Sequence, residues 1–526
     1  MNRAVVASIF LFVAQSVLSI GHSNGADKKL PTAKAEHVVL IVWDGMRPDF
    51  VTEYGTSNLW KLSRGGVIFR RHHSVYPSLT SVNAAALATG VYPDRSGIIA
   101  NWAFPPDISG GKLTRLDAPE TISKGDEVTG GKYLTVPTIA ELVQARGGRV
   151  AIAGTKTAPL LQNRHATAPS ASLFGGETIP KEALAKIVKM LGPFPVADEL
   201  PNVAQDAWTT RALTEVLWGE GVPDLSVLWM SDPDRSQHAT EPGSPTSLAA
   251  IKSVDANLGV VVHALTEKGV LDRTDILLAS DHGFSTIERS VDVAAFLRTK
   301  DFDVAGPTES ELPRGRIKVA GNGGTNLYYI GEHDPAVAER LVRVLQQTDF
   351  TGVIFARPEV EGAFPLALAH VQTDSGPDVV MTFRWNNGRN EHGVAGMIIA
   401  NGSGDPAKAT HGTLSPFDLH NTFIAAGPDF ASGLESDVPT SNLDVAATIA
   451  RLVGVNSPQP FDGRVVVEGM SADKGNAGTV EQHTLEASRD LPGGEWHQYL
   501  RTSRVGTSLY FDEGNGAIRQ TQKPPQ

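Results

Sequence analysis

The sequence predicts an α/β protein with a mostly parallel central sheet and helices on both faces of that sheet. Short runs made almost entirely of apolar residues alternate with longer segments of helical periodicity. Apolar runs of this kind are typical of parallel strands that are buried on both sides. Their alternation with helices predicts one sheet whose connections cross above and below it.

The predicted elements begin at residue 37 and follow one another along the chain. Strands are expected at 37–43, 149–153, 225–230, 275–279 and 422–426. Helices are expected at 57–63, 81–89, 136–146, 206–218, 247–268 and 444–453. Residues 104–133 and 285–410 break the alternation, and we interpret both as insertions that cap the edge of the sheet where the candidate site lies.

The chain is expected to have a leader, one catalytic-size domain and an extension. Residues 1–25 are interpreted as a signal peptide, because Arg3 precedes an apolar run at 4–20 and small residues follow it. The alternative is an uncleaved membrane anchor, although the run is short for a span of about 20 residues. The main domain is placed at 37–470 and a C-terminal extension at 471–526, with a hairpin expected around 503–514.

The composition limits the kinds of metal site, nucleophile and partner that the chain can have. The chain contains no cysteine, which excludes disulfides, thiolate metal ligands and cysteine nucleophiles, so that any metal must be held by His, Asp, Glu or hydroxyl oxygens. The formal net charge of −12 argues against a nucleic-acid-binding surface. A small anionic substrate remains compatible with it, since bound cations can make a pocket locally positive. We expect export to a periplasm or the exterior, with no stable membrane span once the leader is removed.

Acidic residues and histidines follow three of the predicted strands. Asp44 follows the first strand, Asp234 and His238 follow the strand at 225–230, and Asp281 and His282 follow the strand at 275–279. Ligands of open parallel sheets bind beyond the carboxyl ends of the strands, so these side chains are expected to meet at one edge. Each pair alone could be an ordinary turn or a solvated loop.

Seven segments in this order resemble the nucleotide pyrophosphatase/phosphodiesterase branch of the alkaline phosphatase superfamily. They are VLIVWDGMRP (39–48), YPSLTSVN (76–83), ATGVYP (88–93), SGIIAN (96–101), DPDRSQH (232–238), SDHG (280–283) and THGT (410–413). The resemblance extends from about residue 37 to residue 464. It implies an alkaline phosphatase-like fold and a metal-dependent hydrolase of phosphoric esters.

The resemblance implies two Zn²⁺ sites, in which other divalent metals are also possible. One metal would be held by Asp234, His238 and His411. The other would be held by a second set of ligands, which consists of Asp44, Asp281, His282 and the Thr80 oxygen. His392 also precedes a glycine and competes for the last position of the first site, but His411 lies closer to the strand that follows this ligand in the family. Imidazole and carboxylate groups are the ligands that Zn²⁺ prefers among those available.

The resemblance also assigns the reacting groups. Thr80 would be the nucleophile, and Asn101 would donate its side-chain amide to a non-bridging phosphate oxygen. The expected mechanism has two displacements, with a phosphothreonine between them. A helix is predicted directly after Thr80, and its N-terminus would favour phosphate. The alternative for Thr80 is a simple helix cap.

The chain departs from the nucleotide branch in the region that would bind the substrate. That branch usually has an aromatic residue and proline after the nucleophile, where this chain has Ser81 and Val82. Trp229 could instead stack on a base or aryl group, with core packing as the alternative. Lys156 is similar to a lysine that some phosphomonoesterases use on a dianionic substrate. Those relatives also have an arginine at the position of Ala158, so we favour diesters.

Three functions remain open at this point. The first is a phosphodiesterase or nucleotide pyrophosphatase that acts on a small phosphorylated substrate. The second is an alkaline-type phosphomonoesterase on the same scaffold. The third is an inactive protein that binds phosphorylated ligands, against which the complete set of expected ligands argues. A dedicated sulfatase is not expected, since the chain has no cysteine and Thr80 is not followed by the sulfatase motif. The sequence does not indicate the oligomeric state.

Overall fold

A nine-stranded sheet carries the catalytic-size domain. The structure is a computed structural model that describes residues 33–402, 407–472 and 477–520. The predicted signal peptide at 1–25 lies outside these residues.

The strands are numbered along the chain. They are β1 (His37–Trp43), β2 (Val67–Phe69), β3 (His72–His73), β4 (Trp102–Ala103), β5 (Thr114–Arg115), β6 (Val150–Gly154), β7 (Ala171–Phe174), β8 (Glu177–Ile179), β9 (Leu225–Met230), β10 (Thr274–Ala279), β11 (Ser285–Val291), β12 (Ile317–Asn322), β13 (Thr325–Ile330), β14 (Thr351–Ala356), β15 (Phe364–Pro365), β16 (Val379–Phe383), β17 (Trp385–Arg389), β18 (Ala395–Asn401), β19 (Ala409–Thr410), β20 (Phe423–Ala426), β21 (Leu434–Ser436), β22 (Thr440–Ser441), β23 (Val480–Leu491), β24 (Gly494–Val505) and β25 (Ser508–Gln520).

The α-helices are numbered in the same way. They are α1 (Ser57–Arg64), α2 (Thr80–Thr89), α3 (Pro93–Ser96), α4 (Pro106–Ser109), α5 (Pro119–Thr129), α6 (Ile139–Ala145), α7 (Glu182–Leu191), α8 (Val203–Arg211), α9 (Asp234–Thr240), α10 (Pro245–Glu267), α11 (Val293–Arg298), α12 (Pro335–Leu345), α13 (Pro416–Leu419) and α14 (Asn442–Leu452). The helix expected at 206–218 is α8 continued by a π-helix at Ala212–Leu217.

The central sheet has the strand order β21-β2-β20-β10-β1-β9-β6-β7-β8. Strand β1 lies at its centre and pairs in parallel with β10 on one side and β9 on the other. The sheet is mixed, because β20 runs antiparallel to both β10 and β2 and β8 runs antiparallel to β7. The predicted α/β class is therefore found, and the strand expected at 422–426 is present in the antiparallel direction.

Strand β1 contributes side chains to two separate apolar clusters. Val38, Leu40 and Val42 belong to a cluster that includes side chains of α2 and α14. The alternate residues of the strand belong to a second cluster with side chains of α10. Successive side chains of a strand point to opposite faces, so burial of both sets means that both faces of this strand are covered.

Helix α10 is the one described helix whose length and composition would allow it to cross a membrane. Ile251, Val254 and Leu258 of this helix are buried in the second cluster beneath the sheet. Packing of this kind is typical of a core helix in an α/β protein.

Residues 285–410 form two further sheets beside the central one. The first has the order β17-β18-β11-β19, and the second has the order β12-β13-β16-β14-β15. Residues 104–133 form β5 and two short helices, and β5 pairs antiparallel with β4. Both segments thus fold into short elements that depart from the strand–helix alternation of the rest of the chain.

The C-terminal segment is a three-stranded antiparallel sheet of β23, β24 and β25. The hairpin expected around 503–514 corresponds to the turn between β24 and β25. This sheet packs on the five-stranded sheet, where the Gln498 amide accepts from the Ile354 N–H at 2.8 Å and donates to its carbonyl at 3.1 Å. The extension therefore shares a core with the insertion at 285–410.

Replacing Trp496 with Ala tests whether the extension is part of the cooperative core. The indole is fully buried and donates to the Gly362 carbonyl at 2.9 Å. Deleting a buried aromatic side chain typically costs about 3–5 kcal/mol. We expect the free energy of unfolding, measured by urea denaturation, to fall by about that amount.

The matched control is Leu485→Ala, because Leu485 lies in the same sheet and its side chain is 38% exposed. This change is expected to alter the free energy of unfolding by less than about 0.5–1 kcal/mol. Equal, small effects of both substitutions would mean that the extension unfolds separately from the rest of the chain.

Candidate active site

The candidate site lies at the carboxyl ends of three neighbouring strands. Asp44 directly follows β1, Asp234 begins α9 shortly after β9, and Asp281 and His282 follow β10. Because β10, β1 and β9 are adjacent in the sheet, their ends bring these side chains together. Gly45 has a φ of +74°, and a Cβ there would lie 3.0 Å from the Cβ of Asp234, so a side chain would force the two segments apart.

Each of the three carboxylates keeps one oxygen without a hydrogen bond. Asp44 Oδ2 accepts from Trp229 Nε1 at 2.9 Å, Asp281 Oδ1 accepts from the Gly45 N–H at 3.0 Å, and Asp234 Oδ2 accepts from Lys156 Nζ at 2.5 Å. The second oxygens, Asp44 Oδ1, Asp234 Oδ1 and Asp281 Oδ2, are buried and make no hydrogen bond. A buried carboxylate oxygen without a hydrogen bond destabilises the folded protein, so a bound cation would stabilise this arrangement.

The three histidines are fixed in one orientation by backbone carbonyls. Nδ1 lies 2.9 Å from the Ala409 carbonyl in His238, 2.9 Å from the Gly283 carbonyl in His282, and 2.7 Å from the Ser78 carbonyl in His411. A carbonyl can only accept, so Nδ1 carries the proton in each neutral ring. Each Nε2 therefore has a free lone pair, which is directed at the carboxylates. Metal-ligating histidines usually have this arrangement, in which the other ring nitrogen donates to a carbonyl or a carboxylate.

The free oxygens and the Nε2 atoms converge in two overlapping groups, Asp234–His238–His411 and Asp44–Asp234–His282. Asp234 Oδ1 lies 3.2 Å from His238 Nε2 and 3.7 Å from His411 Nε2. His282 Nε2 lies 3.3 Å from Asp281 Oδ2 and 3.6 Å from Asp44 Oδ1. Carboxylate oxygens and imidazole nitrogens are of the kind that bind metal, and six of the seven side chains predicted as ligands contribute an atom to this set.

The pKa values of the buried groups indicate that the carboxylates lack compensating positive charge. Burial, together with the charge of Asp281, raises the pKa of Asp44 to about 8. Burial also raises the pKa of Asp281 to about 7, with Asp234 adding to the effect. Burial by itself lowers the pKa of Lys156, but the attraction of Asp234 and Asp44 outweighs it and raises that pKa. One lysine does not offset three carboxylates.

Thr80 lies at the first turn of α2, and its hydroxyl does not cap the helix. Leu79 is the N-cap residue and no side chain makes a capping hydrogen bond. Thr80 Oγ1 instead lies 3.2 Å from His282 Nε2, and the residue is only 5% exposed. Because Nδ1 of His282 carries the proton, the threonine hydroxyl is the donor in this contact.

Asn101 lies beside the nucleophile candidate. Its Oδ1 accepts from the Ser81 N–H at 2.8 Å, which leaves the side-chain N–H groups as the free end of the amide. Asn322 holds this segment in place, since its Oδ1 accepts from the N–H groups of Asn101 at 3.1 Å and Trp102 at 2.8 Å. Asn322 begins the turn between β12 and β13, so the insertion at 285–410 positions Asn101.

A cavity of about 590 Å³ opens over these groups. Thr80, Asn101, Asp234, His238 and His411 line one part of it. Its lining also contains three cationic side chains, which are those of Lys156, Arg115 and Arg235. Neither Arg115 nor Asn322 was singled out in the sequence, because both belong to insertions without a recognisable motif. Only their contacts reveal them.

Trp229 and Lys156 are placed differently from the sequence-based expectation. Trp229 is fully buried, lies outside the cavity lining and donates to Asp44, so its position does not support stacking on a substrate. Lys156 lines the cavity, but its Nζ contacts Asp234 at 2.5 Å and Asp44 at 2.9 Å. In this arrangement its charge is directed at the ligand carboxylates.

The competing histidine, His392, lies elsewhere. Its Nε2 is 3.5 Å from Glu241 and 3.8 Å from Glu391, in a separate, partly exposed group of metal-ligand residue types. The structure therefore brings His411, and not His392, beside Asp234.

Comparison with known proteins identifies relatives of this chain. The family model described as type I phosphodiesterase / nucleotide pyrophosphatase matches residues 38–388. Human ectonucleotide pyrophosphatase/phosphodiesterase family member 7 is 23% identical over 468 residues, which cover 84% of this chain and 83% of that protein. Venom phosphodiesterase 2 of Crotalus adamanteus is 22% identical over 306 residues, which cover 56% of this chain and 32% of that protein.

A solved structure shares the fold. It is murine ectonucleotide pyrophosphatase/phosphodiesterase 5, in an inactive threonine-to-alanine form in complex with AMP, which superposes with a TM-score of 0.56 at 17% identity. The match covers 83% of this chain and 100% of that chain. With the family model matching well over half of its length, the chain belongs to the type I phosphodiesterase/nucleotide pyrophosphatase family, in the alkaline phosphatase superfamily, and is a hydrolase of this type.

Proposed function

We propose that the protein hydrolyses phosphodiester or nucleotide pyrophosphate bonds in a metal-dependent reaction that passes through phosphorylated Thr80. The observation that carries this proposal is the placement of the Thr80 hydroxyl. It lies at the N-terminus of α2, 3.2 Å from His282 Nε2, next to three buried carboxylates that each have an unpartnered oxygen. A hydroxyl in this setting is close to ligands that can hold the cations needed to activate it.

Two Zn²⁺ ions, or other divalent metals, are the proposed cofactors. Asp234, His238 and His411 would hold one ion. The other ion would be held by the set of Asp44, Asp281, His282 and Thr80 Oγ1. When bound, two such ions supply the positive charge that favours the Thr80 alkoxide and offsets the charge on the attacking and leaving oxygens.

The protein's own groups account for the remaining steps. Thr80 Oγ1 would attack phosphorus, so that a Thr80–phosphorus bond forms while the bond to the leaving oxygen breaks. The side-chain N–H of Asn101 and the backbone N–H groups at the start of α2 would hold the non-bridging oxygens. Water would then attack the phosphothreonine, releasing the phosphate product and restoring the threonine hydroxyl.

The names of the relatives support a nucleotide-related substrate, since one is an ectonucleotide pyrophosphatase/phosphodiesterase and one is solved with AMP. In this chain the exposed aromatic side chain at the cavity is Trp102, with Ser81 and Val82 after the nucleophile. We therefore propose small phosphorylated substrates without assigning a base. The words "ecto" and "venom" in those names support export, to a periplasm or to the exterior.

A phosphomonoesterase is the second candidate, and a specific observation favours it. Lys156 and Arg115 line the same cavity as Thr80, and a dianionic monoester needs more positive charge than a monoanionic diester. An inactive ligand-binding protein is disfavoured, because the proposed nucleophile Thr80 lies close to the six carboxylate and imidazole side chains proposed as metal ligands.

The substrate class is tested with the zinc-loaded mature protein on three esters. These are bis-p-nitrophenyl phosphate, thymidine monophosphate p-nitrophenyl ester and p-nitrophenyl phosphate. We expect the diesters to be cleaved fastest and a chelator to abolish the activity. Faster cleavage of the monoester would establish the second candidate, and no cleavage with metal bound would refute the proposed function.

Thr80→Ala tests the nucleophile. Loss of the attacking oxygen should lower kcat by at least about 1,000-fold, as for other enzymes that lose the nucleophile. Thr89→Ala, the same substitution at the other end of α2, should leave kcat unchanged. Residual activity within about tenfold of wild type for Thr80→Ala would show that another group attacks phosphorus.

His411→Ala tests the proposed metal ligands. Plasma emission spectrometry after equilibration with zinc should find two ions per wild-type chain and one in the variant, because one site would retain only two ligands. His263→Ala is the control, since His263 is 72% exposed on α10, away from the cluster. An unchanged zinc content in His411→Ala would contradict the assignment.

A further inference from the structure

Arg115 is held next to the groups that would bind the substrate phosphate. It lies in β5, directly opposite Trp102 in the antiparallel pair with β4. The N–H of the next residue, Leu116, donates to the Asn101 carbonyl at 2.8 Å. Directly opposed residues in such a pair have Cα atoms about 5 Å apart, so the backbone places Arg115 opposite Trp102, the residue that follows Asn101.

A single buried carboxylate ties Arg115 to the segment that carries Lys156. Asp117 is fully buried and accepts from Arg115 Nε at 2.6 Å and from Arg115 Nη2 at 3.1 Å. Its Oδ2 also accepts from the hydroxyl of Thr157, the neighbour of Lys156, at 3.0 Å. Asp117 thus fixes the edge of the guanidinium that carries Nε and Nη2, and it makes no hydrogen bond to Nη1.

The other edge of the guanidinium remains available. Arg115 Nη1 makes no hydrogen bond to any part of the chain that the structure describes. The side chain is 43% exposed and lines the same cavity as Thr80 and Asn101. Lys156, by contrast, contacts both Asp44 and Asp234. Of the two cations, Lys156 is therefore occupied by the proposed ligand carboxylates, whereas Arg115 still has N–H donors that could bind a substrate.

The geometry points to Arg115 as the residue that binds a non-bridging oxygen of the substrate phosphate and allows the site to accept doubly charged phosphate monoesters. This inference rests on the proposed function of the same site. A guanidinium held by one carboxylate can offer its other donors to phosphate, in a fixed direction. Some phosphomonoesterase relatives have an arginine where this chain has Ala158. Arg115 would supply a positive charge to the cavity from a different segment of the chain.

The test compares kcat/KM for p-nitrophenyl phosphate and bis-p-nitrophenyl phosphate in the zinc-loaded protein. We expect Arg115→Ala to lose about tenfold or more for the monoester and less than about threefold for the diester, because the dianion depends more on the lost cation. Arg115→Gln keeps a donor for Asp117 but removes the charge, and it should show the same difference. Arg146→Ala, which removes a comparably exposed arginine from its pair with Asp224 outside the cavity, should change neither value.

Equal losses for the two esters, or no loss, in a variant that retains the wild-type melting temperature would overturn the inference. If Arg115→Ala does not fold, Arg115→Gln decides the question. If the wild-type protein cleaves neither ester, the proposed function fails, and calorimetric titration with inorganic phosphate then tests Arg115 alone. About tenfold weaker phosphate binding in the variant supports the inference, and unchanged binding overturns it.

Discussion

Three carboxylates buried at the ends of adjacent strands place the strongest constraint on this molecule. Asp44, Asp234 and Asp281 are buried close to one another, and burial raises the pKa of Asp44 to about 8. A cluster of this kind is unfavourable unless cations compensate for it. The surroundings leave three oxygens unpaired and turn three imidazole nitrogens towards them. The burial of unpaired carboxylate oxygens therefore destabilises the cluster without a cation, and the same oxygens would bind one.

The insertions contribute to the site as well as covering it. His411 follows β19, which pairs with β11 of the four-stranded sheet. Asn322 at the end of β12 holds the backbone of Asn101. The C-terminal sheet packs in turn on the five-stranded sheet through Gln498. The placement of these candidate site residues thus depends on elements that are distant in sequence.

The elements that could be predicted from the sequence are those with a strong local pattern. Strand β9 has the bounds expected for it, and the helix at Thr80–Thr89 begins one residue before its expected start. A short apolar run bounded by turn residues favours a strand, and an alanine-rich segment favours a helix. The antiparallel direction of β20 was not predicted, because a buried strand reads alike in both directions. Trp229 could not be assigned either, since core packing and a hydrogen bond to Asp44 leave no trace in local sequence. Arg115 depends on pairing between β4 and β5, which only the fold reveals.

We propose that the buried carboxylates and histidines form a two-metal centre. Crystals of the zinc-loaded protein, measured on both sides of the zinc absorption edge, would test it most directly. We expect two anomalous peaks, one among Asp234, His238 and His411 and the other among Asp44, Asp281, His282 and Thr80 Oγ1. A single peak in the cluster, or zinc found only at Glu241, Glu391 and His392, would contradict it.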